Sequence, residues 1–128
     1  MPYINKTIHG TPYPEKRDPR LDQAPLKKWT HDIITQTQGL PKVKKREACL
    51  LRVTFLLKPS QFPKNCRFGP DLDNLLKRFL NALKCTVLSE ADGTDSCVVA
   101  IEAMKVCAET GTQPGAELEL LPVRMPKQ

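Results

Sequence analysis

Two stretches of the chain carry apolar residues at helical spacing. The first begins at Pro25 and is ended by Gly39 and Pro41, and its apolar face consists of Leu26, Trp29, Ile33 and Ile34. The second extends from about Asp71 to near Lys84, and its apolar stripe consists of Leu72, Leu75, Leu76, Phe79, Leu80 and Leu83. We therefore predict two main helices, each with one face toward a core.

Four shorter stretches have the composition and alternation of β-strands. They cover residues 3–8, 48–57, 97–106 and 117–121, and Pro122 is predicted to end the last one. The order β, α, β, α, β, β predicts a single α+β domain over residues 1–128, with a short loose tail from about residue 123. Its mixed or antiparallel sheet would have about four strands, with the second helix packed on strands 48–57 and 97–106.

Composition excludes several classes of protein. With 128 residues, the chain is long enough for one domain with a core. It has no run of about 18 apolar residues and no apolar segment in residues 1–10, so we predict an intracellular protein that is neither membrane-spanning nor secreted. Five cysteines without C-x-x-C spacing favour free thiols over a disulfide scaffold or a zinc site.

The charge balance favours a nucleic-acid partner. The chain has 20 Lys and Arg against 14 Asp and Glu, a net charge of +6. Candidate phosphate contacts are Lys16, Arg17, Arg20, Lys44, Lys45, Lys64, Arg67 and Lys105. Solvated loops are the alternative interpretation of these basic segments. One Trp, two Tyr and four Phe are few for a base-stacking platform, so contacts to the backbone should dominate.

Three aspartates at the edges of predicted elements are the candidate metal ligands. Asp71 and Asp73 open the second helix, and Asp95 precedes the strand at 97–106. If that strand begins beside the helix N-terminus, the three carboxylates converge and need a divalent cation, for which oxygen ligands favour Mg²⁺ or Mn²⁺. Lys77, one turn beyond Asp73, could reach the same site. Helix capping by the first two acids and an i,i+4 ion pair of Lys77 are the alternatives.

The same residues carry a resemblance to a known family. The chain resembles the RusA family of Holliday junction resolvases in Pro70-Asp71-Leu72-Asp73-Asn74-Leu75-x-Lys77, in Asn81-Ala82-Leu83, and in Asp95-x-x-Val98-Val99 with Lys105 and Val106. It is also similar to that family in the opening Ile8-x-Gly10-x-Pro12-x-Pro14 with Lys16, Arg17 and Arg20, and in the final Ala116-Glu117-Leu118-Glu119-Leu120. The resemblance extends over residues 4–121.

The resemblance implies a small endonuclease, usually a homodimer, that binds four-way DNA junctions and cleaves them with Mg²⁺ or Mn²⁺. On the matching motifs it assigns Asp71, Asp73 and Asp95 as the metal-binding acids and Lys77 as the essential lysine. It also places the protein in DNA recombination and repair.

Two departures from the family pattern leave alternatives open. Family members commonly have two adjacent acids where this chain has Thr94 before Asp95, and their preceding loop is shorter than residues 89–93. Glu90 or Asp92 could replace the missing acid. A catalytically weak or inactive nucleic-acid-binding or interaction protein with the same fold is the second interpretation. A metal-free structural protein whose acids only cap a helix is the third.

Overall fold

The computed structural model describes residues 2–15, 22–109 and 111–125, which hold two α-helices and four β-strands. In chain order these are β1 (Ile4–His9), α1 (Ala24–Thr37), β2 (Ala48–Leu57), α2 (Leu72–Leu83), β3 (Val98–Cys107) and β4 (Gly115–Val123). Short 3₁₀ turns lie at Pro59–Gln61 and Thr94–Cys97. The predicted α+β fold and the order of its elements are confirmed. Neither helix of the described residues is long and apolar enough to cross a lipid bilayer.

The four strands form one mixed sheet in the order β1-β4-β2-β3. β4 is antiparallel to both β1 and β2, whereas β2 and β3 are parallel neighbours. Parallel neighbours need a crossover connection, and α2 provides it. The helix runs against the direction of both strands. Its N-terminus therefore lies near the ends of β2 and β3, where the Lys105 ammonium donates to the Pro70 carbonyl at 2.7 Å.

Both helices pack on one face of the sheet and form the core there. Every second residue of β2 from Leu51 to Leu57 is almost fully excluded from solvent. Trp29 of α1 and Phe79 of α2 are fully buried, and their rings stack with centroids 6.5 Å apart. Phe55 meets Phe79 edge-on at 5.6 Å. Phe79 therefore joins both helices to the central strand.

The glycine of the proline-rich opening has a packing role. Gly10 has a φ of +149°. A Cβ at this position would lie 3.0 Å from ring carbons of Trp29 and 2.5 Å from a carboxylate oxygen of Asp32. The chain can therefore approach α1 this closely only with glycine. The following residues are fixed by Gln61, whose side-chain amide donates to the Pro12 carbonyl at 2.8 Å.

The last strand is longer than predicted. β4 continues through Pro122 to Val123, so the prediction that Pro122 ends the strand is wrong. The pairing of β4 with β1 stops at Leu120. Beyond that residue β4 has a neighbour on one side only, and a proline without an N–H donor is tolerated. Val123, the predicted start of the loose tail, is still in the strand, and residues 126–128 lie outside the described residues.

β3 is an edge strand with a largely uncovered apolar surface. Its register places Ile101 opposite Leu51, on the side that faces the helices. Ile101 is nevertheless 44% exposed, and Val99, beside an irregularity in the pairing with β2, is 43% exposed. Of the β3 residues, only Val98 and Ala103 pack against the core.

All five cysteines are free thiols, and Cys49 and Cys97 are buried. Burial raises the pKa of Cys49 to about 12, and the neighbouring Cys97 thiol adds to the rise. Burial also raises the pKa of Cys97. Both thiols therefore stay protonated at neutral pH, which makes them poor nucleophiles and poor metal ligands.

The position of Phe79 gives a stability prediction. Replacing Phe79 with Ala removes a fully buried ring and should lower the free energy of unfolding by about 3–5 kcal/mol. Leu80→Ala is the matched control, because the next side chain along α2 is only partly buried, and it should cost less. Urea unfolding of both variants measures the difference. Equal losses would contradict the assignment of Phe79 as the central contact.

Candidate functional site

The outward face of α2 lines a pocket of about 330 Å³ at the surface of the domain. The lining residues are Asp73, Leu76, Lys77, Leu80, Asn81, Lys84 and Asp95. The first six lie on α2 or at its C-cap at helical spacing, and Asp95 lies in the 3₁₀ turn before β3. The structure therefore brings together three of the four predicted catalytic residues, namely Asp73, Lys77 and Asp95.

Lys84, which was not predicted from the sequence as a site residue, forms an ion pair with Asp95, one of the two acids that line the pocket. Its ammonium lies 3.4 Å from Oδ2 of Asp95 and donates to Oδ1 of Asn81 at 3.1 Å. Both members of the ion pair are partly exposed, with side-chain exposures of 35% and 41%. Lys77, Asn81 and Lys84 follow one another at helical spacing on the polar side of α2. That spacing was the sequence signal that could have linked Lys84 to the pocket.

Asp71 and Asp73 differ in their surroundings. Asp71 is the N-cap residue of α2, but its exposed side chain makes no capping hydrogen bond. The capping interpretation therefore does not account for its carboxylate. Asp73 lies in the first turn, where one of its carboxylate oxygens accepts a hydrogen bond from the backbone N–H of Asn74 at 3.0 Å. Asp73 lines the pocket and Asp71 does not.

The three aspartates do not converge as the sequence analysis expected. Within the described part of the chain, no three His, Cys, Asp or Glu side chains lie close enough together to hold one metal ion. The reason is the direction of β3. It is parallel to β2, so it begins beside the C-terminal half of α2, and Asp95 meets Lys84 there. Asp71 lies at the opposite end of the helix.

A divalent cation in this pocket would have fewer protein ligands than the sequence predicts. Mg²⁺ typically binds one or two carboxylates and completes its shell with water and substrate phosphates. Asp73 and Asp95 supply two carboxylates to one pocket. Such an ion would compete with Lys84 for Asp95, because both are cations that need the same oxygen atoms.

Lys77 remains available for chemistry. It is exposed and lines the pocket. The ion pair with Asp73, the alternative role for this lysine, is not among the ion pairs of the described residues. An ammonium without a fixed carboxylate partner can contact a substrate anion.

Neither acid of the 89–93 loop replaces a missing ligand. The Lys44 ammonium lies 3.3 Å from both carboxylate oxygens of Glu90, and its hydrogen bond lowers the pKa of Glu90. Lys42 contributes a second ion pair at 3.6 Å. Asp92 accepts a hydrogen bond from the backbone N–H of Arg46 at 2.9 Å. Both acids therefore hold the 42–46 segment and do not line the pocket.

The predicted phosphate contacts have different environments. Lys16, Arg17 and Arg20 lie outside the described residues. Lys44 is paired with Glu90, and Lys105 is half-buried and bonded to the Pro70 carbonyl. The exposed residues of the set are Lys44, Lys45, Lys64 and Arg67. Lys105 is thus better described as a residue that fixes the chain just before Asp71.

The N-terminal segment docks beside the start of α2, which the sequence did not indicate. The backbone N–H of Glu15 donates to the Asn74 carbonyl at 3.0 Å. The Glu15 carboxylate forms a largely buried ion pair with Arg78. These contacts bring the chain up to residue 15 against α2, directly before the basic segment at 16–20.

Thr94 stands where the resembled family commonly has an acid, and its backbone conformation is unfavourable. Its φ is +56°, in the left-handed region. For a β-branched residue this conformation costs about 1–2 kcal/mol. Gly93 before it is also left-handed, and the two residues set the 3₁₀ turn that carries Asp95.

A scan against models of protein families finds no match for this chain, and a search of curated proteins finds no similar sequence. Support for a function therefore comes from the pocket and from the sequence motifs.

The ion pair of Lys84 gives a prediction about metal binding. Lys84→Met should raise the affinity for Mn²⁺ about 2- to 5-fold, since it removes a competing cation held by a partly exposed pair. Isothermal titration calorimetry measures this without any substrate. Lys45→Met, a change at an exposed lysine away from the pocket, is the control and should have no effect. An unchanged Mn²⁺ affinity for Lys84→Met would show that the lysine does not compete.

The conformation of Thr94 gives a prediction about stability. Thr94→Asn should raise the free energy of unfolding by about 0.5–1 kcal/mol, because asparagine tolerates a left-handed backbone better. Thr94→Val keeps the branched shape and should give no gain. Chemical unfolding distinguishes them, and an equal gain in both variants would rule out relief of backbone strain.

Proposed function

We propose that this protein is a divalent-metal-dependent endonuclease that cleaves branched DNA, in the manner of the resolvase family that its motifs resemble. The observation that carries the proposal is the pocket that combines Asp73, Lys77 and Asp95 on the outward face of α2. Carboxylates and a lysine in one pocket are the groups that hydrolysis of a phosphodiester needs.

Each residue of the pocket has a distinct role in this proposal. Asp73 and Asp95 would hold Mg²⁺ or Mn²⁺, whereas Asp71 lies at the N-terminus of α2, at the far end of the helix from Asp95. The ion supplies Lewis-acid activation of water and charge stabilisation when it is bound. Lys77 contacts the scissile phosphate and stabilises the negative charge that grows on its oxygens. Without an ion, Lys84 pairs with Asp95 and bridges it to Asn81.

Affinity for DNA comes from basic residues outside the pocket rather than from the pocket itself. Lys45, Lys64 and Arg67 are exposed, and the sequence adds three basic residues in 16–20 beside the docked Glu15. Phosphate contacts of this kind release counterions, so binding should weaken steeply with salt and depend little on base sequence.

We further propose a homodimer, as the resemblance implies, because symmetric cleavage of a four-way junction needs two sites. The exposed apolar residues of the edge strand β3, including Ile101 and Met104, offer a surface for a second copy. We place its role in DNA recombination and repair. An intracellular location fits the free thiols.

A binding protein without turnover is the second candidate function. Two observations favour it: Lys84 already neutralises Asp95, and Thr94 stands at the position of the second acid. Such a protein would bind junctions through its basic residues and leave them intact.

The proposal predicts separation of cleavage from binding. Asp73→Asn, Asp95→Asn and Asp71→Asn should each lower junction cleavage in Mg²⁺ or Mn²⁺ about 100-fold or more and leave junction binding intact, because they remove charge and keep shape. Lys77→Ala should lower cleavage more than metal affinity. Gel assays on a labelled four-way junction measure both.

Asp92→Asn is the control for these variants, because the Asp92 carboxylate bonds to the Arg46 backbone outside the pocket. It should cleave like wild type. Undiminished cleavage by all three aspartate variants would exclude the catalytic assignment. Tight junction binding without cleavage by wild type would favour the second candidate, and Thr94→Asp would then be expected to raise activity.

A further inference from the structure

Phe68 is the most exposed large apolar side chain in the described part of the chain. It is 75% exposed, whereas the other exposed large apolar residues range from 43% to 56%. It lies in the segment between β2 and α2, three residues before Asp71. A phenylalanine in water loses the free energy that burial would give it, so a partner that covers the ring would bind favourably.

The backbone around Phe68 is held in two consecutive hydrogen-bonded turns. The N–H of Cys66 donates to the Pro63 carbonyl at 2.8 Å, and the N–H of Gly69 donates to the Cys66 carbonyl at 3.0 Å. The central residues of these turns are Lys64-Asn65 and Arg67-Phe68. The turns present both pairs to solvent, and all four residues are exposed.

Both ends of this segment are anchored to the domain, because Phe62 before the turns packs against the core and the residues after Phe68 are held as follows. Gly69 has a φ of +75°, and a Cβ there would lie 2.9 Å from a ring carbon of Phe62. Lys105 fixes the carbonyl of Pro70 at 2.7 Å. The position of Phe68 is therefore set before any partner arrives, which lowers the entropy lost on binding.

The charge of the segment selects among partners. Residues 58–70 contain Lys58, Lys64 and Arg67 and no acidic residue. Lys64 and Arg67, the neighbours of Phe68 in the turns, form no ion pair within the described residues. An exposed ring carried by the same pair of turns as two exposed cations matches a nucleic-acid strand, whose bases offer flat faces and whose phosphates lie beside them.

We propose that Phe68 stacks on a base exposed at the branch point of DNA, while Lys64 and Arg67 contact the flanking phosphates, so that this segment selects branched over continuous duplex DNA. The inference rests on the proposed function and names how its substrate is recognised. In a continuous duplex every base is stacked on both sides and offers no face to the ring. At a branch point stacking is interrupted, and a base can be covered at less cost.

The test compares binding to two DNAs in the absence of cleavage. Fluorescence anisotropy with Ca²⁺ in place of Mg²⁺ measures the affinity of wild type and variants for an immobile four-way junction and for a duplex of the same length. Phe68→Ala should lower junction affinity roughly 5- to 150-fold, the range of one lost base-stacking contact, and change duplex affinity by less than about 2-fold. Phe68→Trp should keep junction affinity, because it restores a ring.

A spectroscopic readout distinguishes stacking from a loss of general affinity. With 2-aminopurine at the branch point, wild type and Phe68→Trp should change its fluorescence on binding, and Phe68→Ala at saturating concentration should not. Met125→Ala is the matched control, because Met125 is 51% exposed just after β4, whose end pairs with the start of β2, away from Phe68. It should behave like wild type in every assay.

Three results would overturn the inference. The first is junction binding that is unaffected by Phe68→Ala, which would leave the proposed endonuclease in place without this contact. The second is an equal loss on junction and duplex. The third is a change of oligomeric state by Phe68→Ala in sedimentation velocity, which would assign the ring to a protein contact. A wild type that binds neither DNA would instead remove the proposed function and the inference together.

Discussion

The contact of Phe79 with Trp29 and Phe55 determines how the rest of the domain is arranged. The ring stacks on one helix and meets the central strand edge-on, and all three side chains are fully buried. A helix held at this point cannot rotate about its axis without exposing the ring. The polar residues of α2, from Asp73 to Lys84, are therefore fixed on the outward side. A core contact thus sets the direction of the pocket side chains that α2 carries.

The second constraint is the parallel crossover from β2 through α2 to β3. Its direction places the start of β3, and with it Asp95, beside the C-terminal half of α2. Asp95 consequently finds Lys84 as its partner, whereas Asp71 lies at the other end of the helix. The topology that creates the pocket thus separates Asp71 from Asp95, two acids that the motifs group together.

The difference between what the sequence predicted and what it did not has a physical origin. Both helix α2 and its boundaries were predicted, because hydrophobic periodicity and the residues Pro70 and Asp71 are local signals. The direction in which two strands pair is not a local property. The sequence therefore could not decide whether β3 begins near Asp71, and in the structure Asp95 and Asp71 do not converge. The same applies to Pro122, whose tolerance depends on where the neighbouring strand β1 stops.

The partners of charged side chains were the feature of the structure that the sequence predicted least well. Lys105, Lys44 and Glu90 were candidates for DNA or metal on residue type alone, and each is held by a neighbour distant in sequence. From the sequence alone, a charged side chain that pairs with a distant residue cannot be distinguished from an unpaired one. Exposed Lys64 and Arg67 remain candidates because the turns that carry them contain no acid.

The charges of the pocket explain why binding and chemistry would respond differently to a metal ion. The formal charges of Asp73 and Asp95 are balanced by those of Lys77 and Lys84. A phosphate that approaches this pocket alone would meet almost no net attraction, so the proposed affinity for DNA would come from the basic residues outside it. A divalent cation bound to the two carboxylates would add two positive charges and release Lys84 from Asp95, which makes the pocket strongly attractive for phosphate. A metal ion would then have little effect on the initial binding of DNA and a large effect on entry of the scissile phosphate into the pocket. Lys77, which is unpaired among the described residues, would add a further positive charge to the pocket.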